Sequence, residues 1–327
     1  MSKLLEINNL STNFSTPRGV LKAVNNISYH VNSGEIVGIV GESGSGKSVS
    51  ALSIMRLVPD PPGKIVNGEI IFNGQDILKL NNSEMRKLRS KDISMIFQEP
   101  MTCLNPVLTI NRQLTETLEL HLNLTPKQAY QRSKDLLSMV GIPDAERILK
   151  TFPHTLSGGM RQRIMIAIAI SCNPKLIIAD EPTTALDVTI QAQILDLLKT
   201  ITADIGSAMI IITHNLGIVA KYANRVLVMY GGKIIENSPA SEIYYSPKHP
   251  YTLGLLRAVP RLDAPIKNKL ATIDGVTPDL TESIIGCNFS NRCEFSIDKC
   301  NQEQPPFSIV GKEHYSACWE ANKIPKP

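Results

Sequence analysis

Long hydrophobic runs are missing from this 327-residue sequence. Its longest apolar stretches, such as residues 164–170 and 208–212, fall far short of the ~20 residues that a helix needs to span a bilayer. The N-terminus, Met-Ser-Lys-Leu-Leu-Glu, also lacks the apolar segment of a signal peptide. We therefore expect a chain that is synthesised and kept in the cytosol.

A strong charge of either sign is missing as well. The 34 basic residues nearly balance the 30 acidic ones, and a net charge of +4 is too small for this length to indicate nucleic acid. The six cysteines should be reduced or metal-bound in the cytosol, rather than paired in disulfides. Two of them, Cys103 and Cys172, stand alone, whereas Cys287, Cys293, Cys300 and Cys318 crowd the C-terminal end.

Residues 41–48, Gly-Glu-Ser-Gly-Ser-Gly-Lys-Ser, match the phosphate-binding loop pattern without a mismatch. A short β-branched run at residues 35–40 precedes the loop, and residues 49–57 have the composition of a helix. In this setting backbone N–H groups converge on phosphate oxygens, Lys47 reaches the β- and γ-phosphates, and the Ser48 hydroxyl binds Mg²⁺. The sequence therefore predicts a nucleoside triphosphate site at Gly41, Ser43, Gly44, Ser45, Gly46, Lys47, Ser48 and Val49.

The rest of the chain alternates between strand and helix patterns. Asn73-Gly74 lies between two apolar stretches and predicts a hairpin, as does Gly231-Gly232. From residue 109 to about residue 170 the pattern is helical, and Thr125-Pro-Lys-Gln128 predicts a helix start with a capping box and a proline at the first helical position. Parallel-strand composition returns at residues 175–181. We predict an α/β domain with a mostly parallel sheet over residues 1–236, containing a helical subdomain at about 100–170. An irregular, cysteine-containing extension follows at 237–327.

Two further observations bear on nucleotide chemistry. Asp180 and Glu181 follow the apolar run Leu-Ile-Ile-Ala, where an aspartate can hold Mg²⁺ and a glutamate can polarise water for attack on the γ-phosphate. Phe14, predicted to lie in a loop before Pro17-Arg18-Gly19, could stack on adenine. A half-exposed loop phenylalanine is the alternative, and from the residue alone we favour it.

Leu156-Ser-Gly-Gly distinguishes this chain from most phosphate-loop proteins, because it resembles the signature motif of ABC-type ATPases. Other family elements fall in order around it over residues 1 to about 236. They are Gln98 as the Q-loop, Asp180-Glu181 as the Walker B pair, Ala185-Leu186-Asp187 as the D-loop, His214 as the switch histidine, and Phe14 as the aromatic that stacks on adenine. Two residues depart from the family pattern: Met160 replaces a usual glutamine, and Asn215 replaces a usual acidic residue.

The resemblance implies a division of labour among these residues. Glu181, His214 and Gln98 would be catalytic, while Ser48, Gln98 and Asp180 would hold Mg²⁺. In the family two such domains enclose two ATP molecules head to tail. Ser157, Gly158, Gly159 and Asp187 would therefore contact the nucleotide across the interface. It follows that a single chain should be a poor ATPase.

The tail resembles the C-terminal region of ATPases that energise peptide importers. The resemblance lies in His249-Pro-Tyr-Thr252 and in the spacing of Cys287, Cys293, Cys300 and Cys318, and the glycine loop is more like that of D-type subunits. It implies an F-type ATPase as heterodimer partner, two transmembrane permease subunits, an external solute-binding protein, and a peripheral location at the cytoplasmic face of the membrane. Related importers carry nickel or metal chelates.

The four tail cysteines permit three interpretations. Zinc sites usually have closer pairs, whereas wider all-cysteine spacing suits a four-iron, four-sulfur cluster as well or better. Four unrelated thiols are the third possibility, and we predict the cluster. For the chain as a whole, the rival classes are a soluble ABC protein of ribosomes or DNA and a regulatory module without turnover. The single cassette argues against the first, and the presence of Glu181 and His214 against the second.

Overall fold

The computed structural model describes residues 2–184, 186–259 and 272–327. Its strands are β1 (Lys3–Thr16), β2 (Gly19–Asn32), β3 (Ile36–Val40), β4 (Gly63–Phe72), β5 (Gln75–Asp76), β6 (Ile93–Ile96), β7 (Leu176–Asp180), β8 (Ala208–Thr213), β9 (Arg225–Tyr230), β10 (Lys233–Pro239), β11 (Ser308–Gly311) and β12 (His314–Ser316).

The α-helices are mostly short outside the middle of the chain. They are α1 (Lys47–Ile54), α2 (Asn82–Leu88), α3 (Pro100–Cys103), α4 (Ile110–Leu122), α5 (Pro126–Met139), α6 (Ala145–Leu149), α7 (Gly158–Ile170), α8 (Val188–Ile205), α9 (Leu216–Tyr222), α10 (Ala240–Tyr245), α11 (Pro250–Arg257) and α12 (Asp298–Gln302). Over the ranges that the structure covers, none of these helices has the length and apolar character needed to cross a membrane.

The chain divides into two compact units. The first, here called the helical unit, comprises Lys79–Ile210 with Asn32–Glu35 and Ser2. Its strands β6 and β7 pair in parallel, in register from Ile93 opposite Leu176 to Ile96 opposite Ala179. Apolar faces of α4, α5 and α7 are buried, including Leu118, Leu136 and Ile164. This confirms the predicted parallel pairing.

Helix α5 shows how local sequence sets an element's start. Thr125 accepts a hydrogen bond from the N–H of Gln128, whose side chain accepts one in return from the N–H of Thr125. Pro126 occupies the first helical position, where its missing N–H costs nothing. This capping box is the one that the sequence predicts.

The second unit, here called the phosphate-loop unit, comprises Lys3–Val31, Ile36–Leu78 and Ile211–Pro327. It contains a four-stranded sheet with the order β2-β1-β4-β5, and the predicted turn at Asn73-Gly74 joins β4 to β5. Phe14 lies on β1 opposite Gly63, so its prediction as a loop residue is wrong. The reason is that β1 and β2 form a long hairpin that leaves only Pro17 and Arg18 in the turn.

The same unit carries a second run of paired strands, in the order β11-β12-β10-β9-β3. Strand β3 is parallel to β9, the pairs β9–β10 and β10–β12 are antiparallel, and the predicted turn at Gly231-Gly232 joins β9 to β10. Strands β11 and β12 come from the extension. The extension therefore adds two strands to the sheet that contains β3, the strand before the phosphate loop.

The extension also supplies part of the unit's hydrophobic core. One buried cluster joins cassette and extension residues: Val40, Leu216, Val219, Val226, Val228, Tyr230, Ile235, Ala240, Ile243, Tyr251, Leu256 and Phe289. The expectation of an irregular tail is thus only half right. Its elements are too short to show a sequence period, because β12 has three residues and α10 has six.

Polar contacts lock these elements together around Glu236, which is fully buried on β10. One of its carboxylate oxygens lies 2.7 Å from Nε2 of His314 on β12, and the other accepts from the hydroxyl of Thr252 on α11. Burial lowers the pKa of His249 to about 3, so its ring is neutral and its Nδ1 accepts from the N–H of Tyr251 at the start of α11. The carboxylate and the imidazole are therefore both satisfied inside the core.

Candidate nucleotide-binding site

The phosphate loop connects β3 to α1 and wraps tightly. Gly46 precedes α1 with φ of 101°, a left-handed conformation that favours glycine, and a Cβ there would lie 2.4 Å from the carbonyl oxygen of Ala23. Ser43 and Gly44 at the tip are exposed, whereas Gly41, Ser45 and Gly46 are buried. Ser48 and Val49, half-buried, lie in the first turn of α1, where N–H groups lack intrahelical partners.

Lys47 is folded back over this loop. Its side chain is buried, and its ammonium donates to the carbonyl oxygens of Gly41 at 2.8 Å and Glu42 at 2.9 Å. A lysine ammonium that is held among converging backbone groups at a helix N-terminus matches the requirements of bound phosphate. The loop therefore fits the triphosphate of a nucleotide.

The helical unit holds three of the residues predicted for metal binding and hydrolysis, namely Gln98, Asp180 and Glu181. Asp180 is the last residue of β7 and is buried. Glu181 follows with φ of 44°, an uncommon conformation for this residue type, and such strain is concentrated at functional sites. Its Oε2 accepts hydrogen bonds from the Thr184 hydroxyl at 2.7 Å and from Nε2 of Gln98 at 3.2 Å. Gln98 and Glu181, both predicted to be catalytic, are thus brought together.

The signature residues form the exposed N-terminus of α7. Ser157 caps the helix, and its hydroxyl accepts from the N–H of Met160 at 3.3 Å. A Cβ at Gly158 or Gly159 would meet its nearest neighbours at 3.8 Å and 3.5 Å, which is ordinary contact. The chain itself leaves room for side chains at both positions.

The remaining predicted residues are found at element ends. Asp187 is exposed and caps α8, accepting from the N–H of Ile190 at 2.9 Å. Its D-loop neighbour Ala185 lies outside the described residues. In the phosphate-loop unit, His214 is exposed directly after β8, and Asn215 caps α9 by accepting from the N–H of Gly217. Phe14 is half-buried, with its ring packed over Gly63.

Sequence reasoning missed two side chains of the extension that contact the loop. Arg292 forms a two-pronged ion pair with Glu42, and the hydroxyl of Tyr251 accepts from the N–H of Glu42 at 2.7 Å. These contacts join positions more than 200 residues apart. The motif treats Glu42 as a variable position, so no sequence signal indicated them.

The four tail cysteines share one region of the phosphate-loop unit. The N–H of Cys287 donates to the carbonyl oxygen of Cys300 at 2.7 Å, and Cys287 and Cys293 pack against the buried cluster. Burial, with smaller contributions from the charges of other cysteines in the set, raises the pKa of Cys293 to about 11 and that of Cys318 to about 12. Among residues 2–184, 186–259 and 272–327, no three His, Cys, Asp or Glu side chains are arranged to hold a metal ion.

Two family profiles match the chain in order. The profile described as "ABC transporter" matches residues 24–184, and the profile described as "Oligopeptide/dipeptide transporter, C-terminal region" matches residues 235–300. The second match begins on β10 and covers α10, α11 and three of the four tail cysteines.

Curated relatives match almost the whole chain. The oligopeptide transport ATP-binding protein AppD of Bacillus subtilis is 51% identical over 93% of this chain and 93% of its own length. The dipeptide transport ATP-binding protein DppD of the same organism is 49% identical over 98% of this chain and 95% of its own length. OppD, a third B. subtilis relative that is named as an oligopeptide transport ATP-binding protein, is 46% identical over 100% of this chain and 92% of its own length.

A solved structure matches the cassette portion. The ATP-binding cassette MJ0796, in a dimeric post-hydrolysis state with ADP and Pi, superposes with a TM-score of 0.65 and 27% identity, over 72% of this chain and 98% of its own. Together with the phosphate loop and the β7 carboxylates, this defines an ABC-type ATPase, as predicted. More particularly, the chain belongs to the family of ATP-binding proteins of oligopeptide and dipeptide ABC transporters.

Proposed function

We propose that this chain couples ATP hydrolysis to the import of dipeptides or oligopeptides, as a peripheral subunit at the cytoplasmic face of the membrane. The observation that carries the proposal is the match of its extension, residues 235–300, to the C-terminal region of such transporters. Relatives that are named for oligopeptide and dipeptide transport align with more than nine-tenths of the chain. We propose that the cassette ends, and the extension begins, after residue 236.

The partners follow from this assignment. Two permease subunits would form the membrane channel, an external binding protein would deliver the solute, and an F-type ATPase would complete a heterodimer. Met101 and Val107, next to the Q-loop, have side chains that are 57% and 77% exposed, and such apolar residues suit a permease contact. Room at Gly158 and Gly159 supports a nucleotide that approaches from a partner cassette.

Nucleotide binding is assigned to the phosphate loop and its surroundings. The loop N–H groups and Lys47 would hold the β- and γ-phosphates, and the ring of Phe14 would stack on adenine. Ser48, Gln98 and Asp180 would hold Mg²⁺, which would neutralise charge on the phosphates. The partner cassette's nucleotide would contact Ser157, Gly158, Gly159 and Asp187 of this chain.

Hydrolysis is assigned to Glu181 as the general base that takes a proton from the attacking water. Thr184 and Gln98 hold its carboxylate by the two hydrogen bonds described above. His214, after β8, would stabilise the transition state on the γ-phosphate side. ATP closes the pair of cassettes and hydrolysis reopens it, so the two states bind nucleotide with different affinity.

The test is transport by the assembled complex in proteoliposomes. Radiolabelled di- and tripeptides should accumulate only with ATP on the cytoplasmic side. Lys47→Ala in this chain should abolish accumulation, while the exposed-site control Lys323→Ala should not. Uptake of nickel or a metal chelate, with peptides neither transported nor competing, would overturn peptide as the solute and leave the ATPase role intact.

We also propose that Cys287, Cys293, Cys300 and Cys318 hold a four-iron, four-sulfur cluster. The support is their common position and the mutual electrostatic influence of their thiols. A single tetrahedral metal with bonds of about 2.3 Å needs sulfurs closer together than a cluster does, because a cluster puts several irons between them. The wide spacing of the four cysteines in the sequence favours a cluster over zinc, whose sites usually have closer pairs.

Anaerobic purification of the full chain tests this assignment. We expect brown protein with about four irons and matching acid-labile sulfide per chain, as all-cysteine ligation implies. Cys293→Ser should lose the colour, whereas the control Cys103→Ser, at an exposed cysteine of the helical unit, should keep it. Colourless protein with one zinc per chain would show a zinc site in place of the cluster. Anaerobic protein without metal would contradict any metal site at these cysteines.

A further inference from the structure

Glu42, the second residue of the phosphate loop, is held from outside the loop by the extension. Nη1 of Arg292 lies 2.7 Å from Oε2 of Glu42, and Nη2 lies 3.0 Å from Oε1. The Arg292 side chain is only 5% exposed and that of Glu42 is 28% exposed. A sheltered, two-pronged pair of this kind has defined geometry, unlike a surface ion pair.

The side chain of Arg292 is also held by contacts with residues other than Glu42. Its Nε donates to the carbonyl oxygen of Asp274 at 3.0 Å, and its Nη2 donates to that of Ile273 at 2.9 Å. The guanidinium also lies 5.8 Å from the ring centroid of Tyr230 and 5.9 Å from that of Phe289, both within the buried cluster. The extension therefore presents a preorganised cation to the loop.

The backbone of Glu42 connects this contact to the phosphate-binding lysine. Its N–H donates to the hydroxyl of Tyr251, which is fully buried on α11. Its carbonyl oxygen accepts from the Lys47 ammonium at 2.9 Å and from the N–H of Ser45 at 3.2 Å. Side chain, N–H and carbonyl of Glu42 are all engaged, so a shift of Glu42 would also shift Lys47.

Charge gives Arg292 a second effect. A carboxylate within a loop that binds phosphates repels the nucleotide, and the repulsion is strong where water is partly excluded. The guanidinium of Arg292 cancels this charge at contact distance. Removing Arg292 alone would leave Glu42 as an unpaired, partly buried anion beside the nucleotide.

We propose that Arg292 and Tyr251 are positioning residues for ATP binding, which hold and neutralise Glu42 and thereby set the phosphate loop and Lys47. This inference rests on the proposed ATPase function only in assuming that ATP binds at this loop. It makes the extension a component of the nucleotide site. If the contacts of Arg292 and Tyr251 with Glu42 only anchored the extension, the charge of Glu42 would have no effect on ATP binding.

A double-variant cycle in the full-length chain tests the charge balance. Binding of a fluorescent ATP analogue would be measured for Arg292→Ala, Glu42→Gln and the double variant. Arg292→Ala should weaken binding about tenfold, which is about 1.4 kcal/mol. Glu42→Gln should change binding by less than about threefold, and the double variant should recover most of the loss. Arg257→Ala, which removes the exposed pair of Arg257 with Glu294, is the matched control and should bind normally.

Further measurements separate positioning from simple support of the fold. The loss in Arg292→Ala should be larger for ATP than for ADP and should shrink at high salt, because its cause is phosphate repulsion. Arg292→Lys, which keeps the charge, should bind ATP more weakly than wild type and more tightly than Arg292→Ala. Where Arg292→Ala does not fold, the affinity of Arg292→Lys is compared with that of wild type alone. Tyr251→Phe should weaken binding about threefold, as expected for one neutral hydrogen bond.

Two results would overturn the inference. One is normal ATP affinity in Arg292→Ala, or in Arg292→Lys should the alanine variant not fold. The other is a double variant that binds as poorly as Arg292→Ala, because the loss would then come from the tail and not from Glu42. Failure of the wild-type chain to bind ATP would instead contradict the proposed function.

Discussion

Glycine stands at the N-terminus of a helix in both units, but for different reasons. At Gly46 the chain's own fold requires it, since φ is 101° and a Cβ would lie 2.4 Å from the Ala23 carbonyl oxygen. At Gly158 and Gly159 the chain has room for a side chain. Packing within the chain thus explains the glycine at position 46. The glycines of the signature turn are explained instead by a molecule that approaches their backbone from outside the chain. In the proposed heterodimer, the phosphate loop would hold this chain's own nucleotide, and the signature turn would contact the nucleotide of the partner cassette.

Among these variants, Glu181→Gln should have the largest effect on ATP turnover. The amide keeps the shape of the side chain but cannot act as a base, so turnover of the assembled transporter should fall about 10²–10⁴-fold. ATP binding by the full-length chain should be unchanged. Parallel ATPase and nucleotide-binding assays would check both, with Glu116→Gln on the exposed face of α4 as the control. Turnover close to that of wild type would remove Glu181 from the mechanism.

A pair of alanine variants tests the two kinds of glycine directly. Gly46→Ala should lower thermal stability and abolish ATP binding, because a left-handed residue with a Cβ costs about 1–2 kcal/mol before the collision is counted. Gly159→Ala should leave stability equal or slightly higher, since alanine favours helix over glycine by about 1 kcal/mol. ATP binding by the isolated chain should survive, while ATPase activity of the complex should fall on the order of tenfold. Full activity of Gly159→Ala in the complex would show that nothing approaches this turn.

Thr184→Val should have the smallest effect. It removes the shorter of the two hydrogen bonds to the Glu181 carboxylate while nearly keeping the side-chain volume. Because Gln98 still holds the carboxylate, we expect the loss of one ordinary hydrogen bond, about threefold to tenfold in kcat, with KM for ATP unchanged. Steady-state kinetics of the complex would separate the two constants. A change in KM alone would assign Thr184 to binding instead.

Local signals explain what the sequence could predict. The phosphate loop, the Asn73-Gly74 turn and the Thr125–Gln128 capping box each depend on a few neighbouring residues, and each is found as expected. The resemblance to the family implied catalytic roles for both Gln98 and Glu181 but not the hydrogen bond that joins their side chains.

Contacts at long range explain what the sequence could not predict. The pair of Glu42 and Arg292 spans 250 positions, and neither residue has an unusual neighbourhood. Phe14 was misplaced because strand length depends on pairing with β4 rather than on local composition. The extension appeared irregular because elements of three to eight residues are too short to display a hydrophobic period.

The shared core of the phosphate-loop unit has a consequence for modularity. Tyr251, Leu256 and Phe289 pack with Val40 and Tyr230, and Glu236 finds its partners on α11 and β12. A chain cut after β10 would expose these apolar faces to water and would remove the hydrogen-bond partners of Glu236 on α11 and β12. Deleting the extension should therefore destabilise the cassette itself. A cassette without this extension would need other side chains to cover the apolar faces of Val40 and Tyr230.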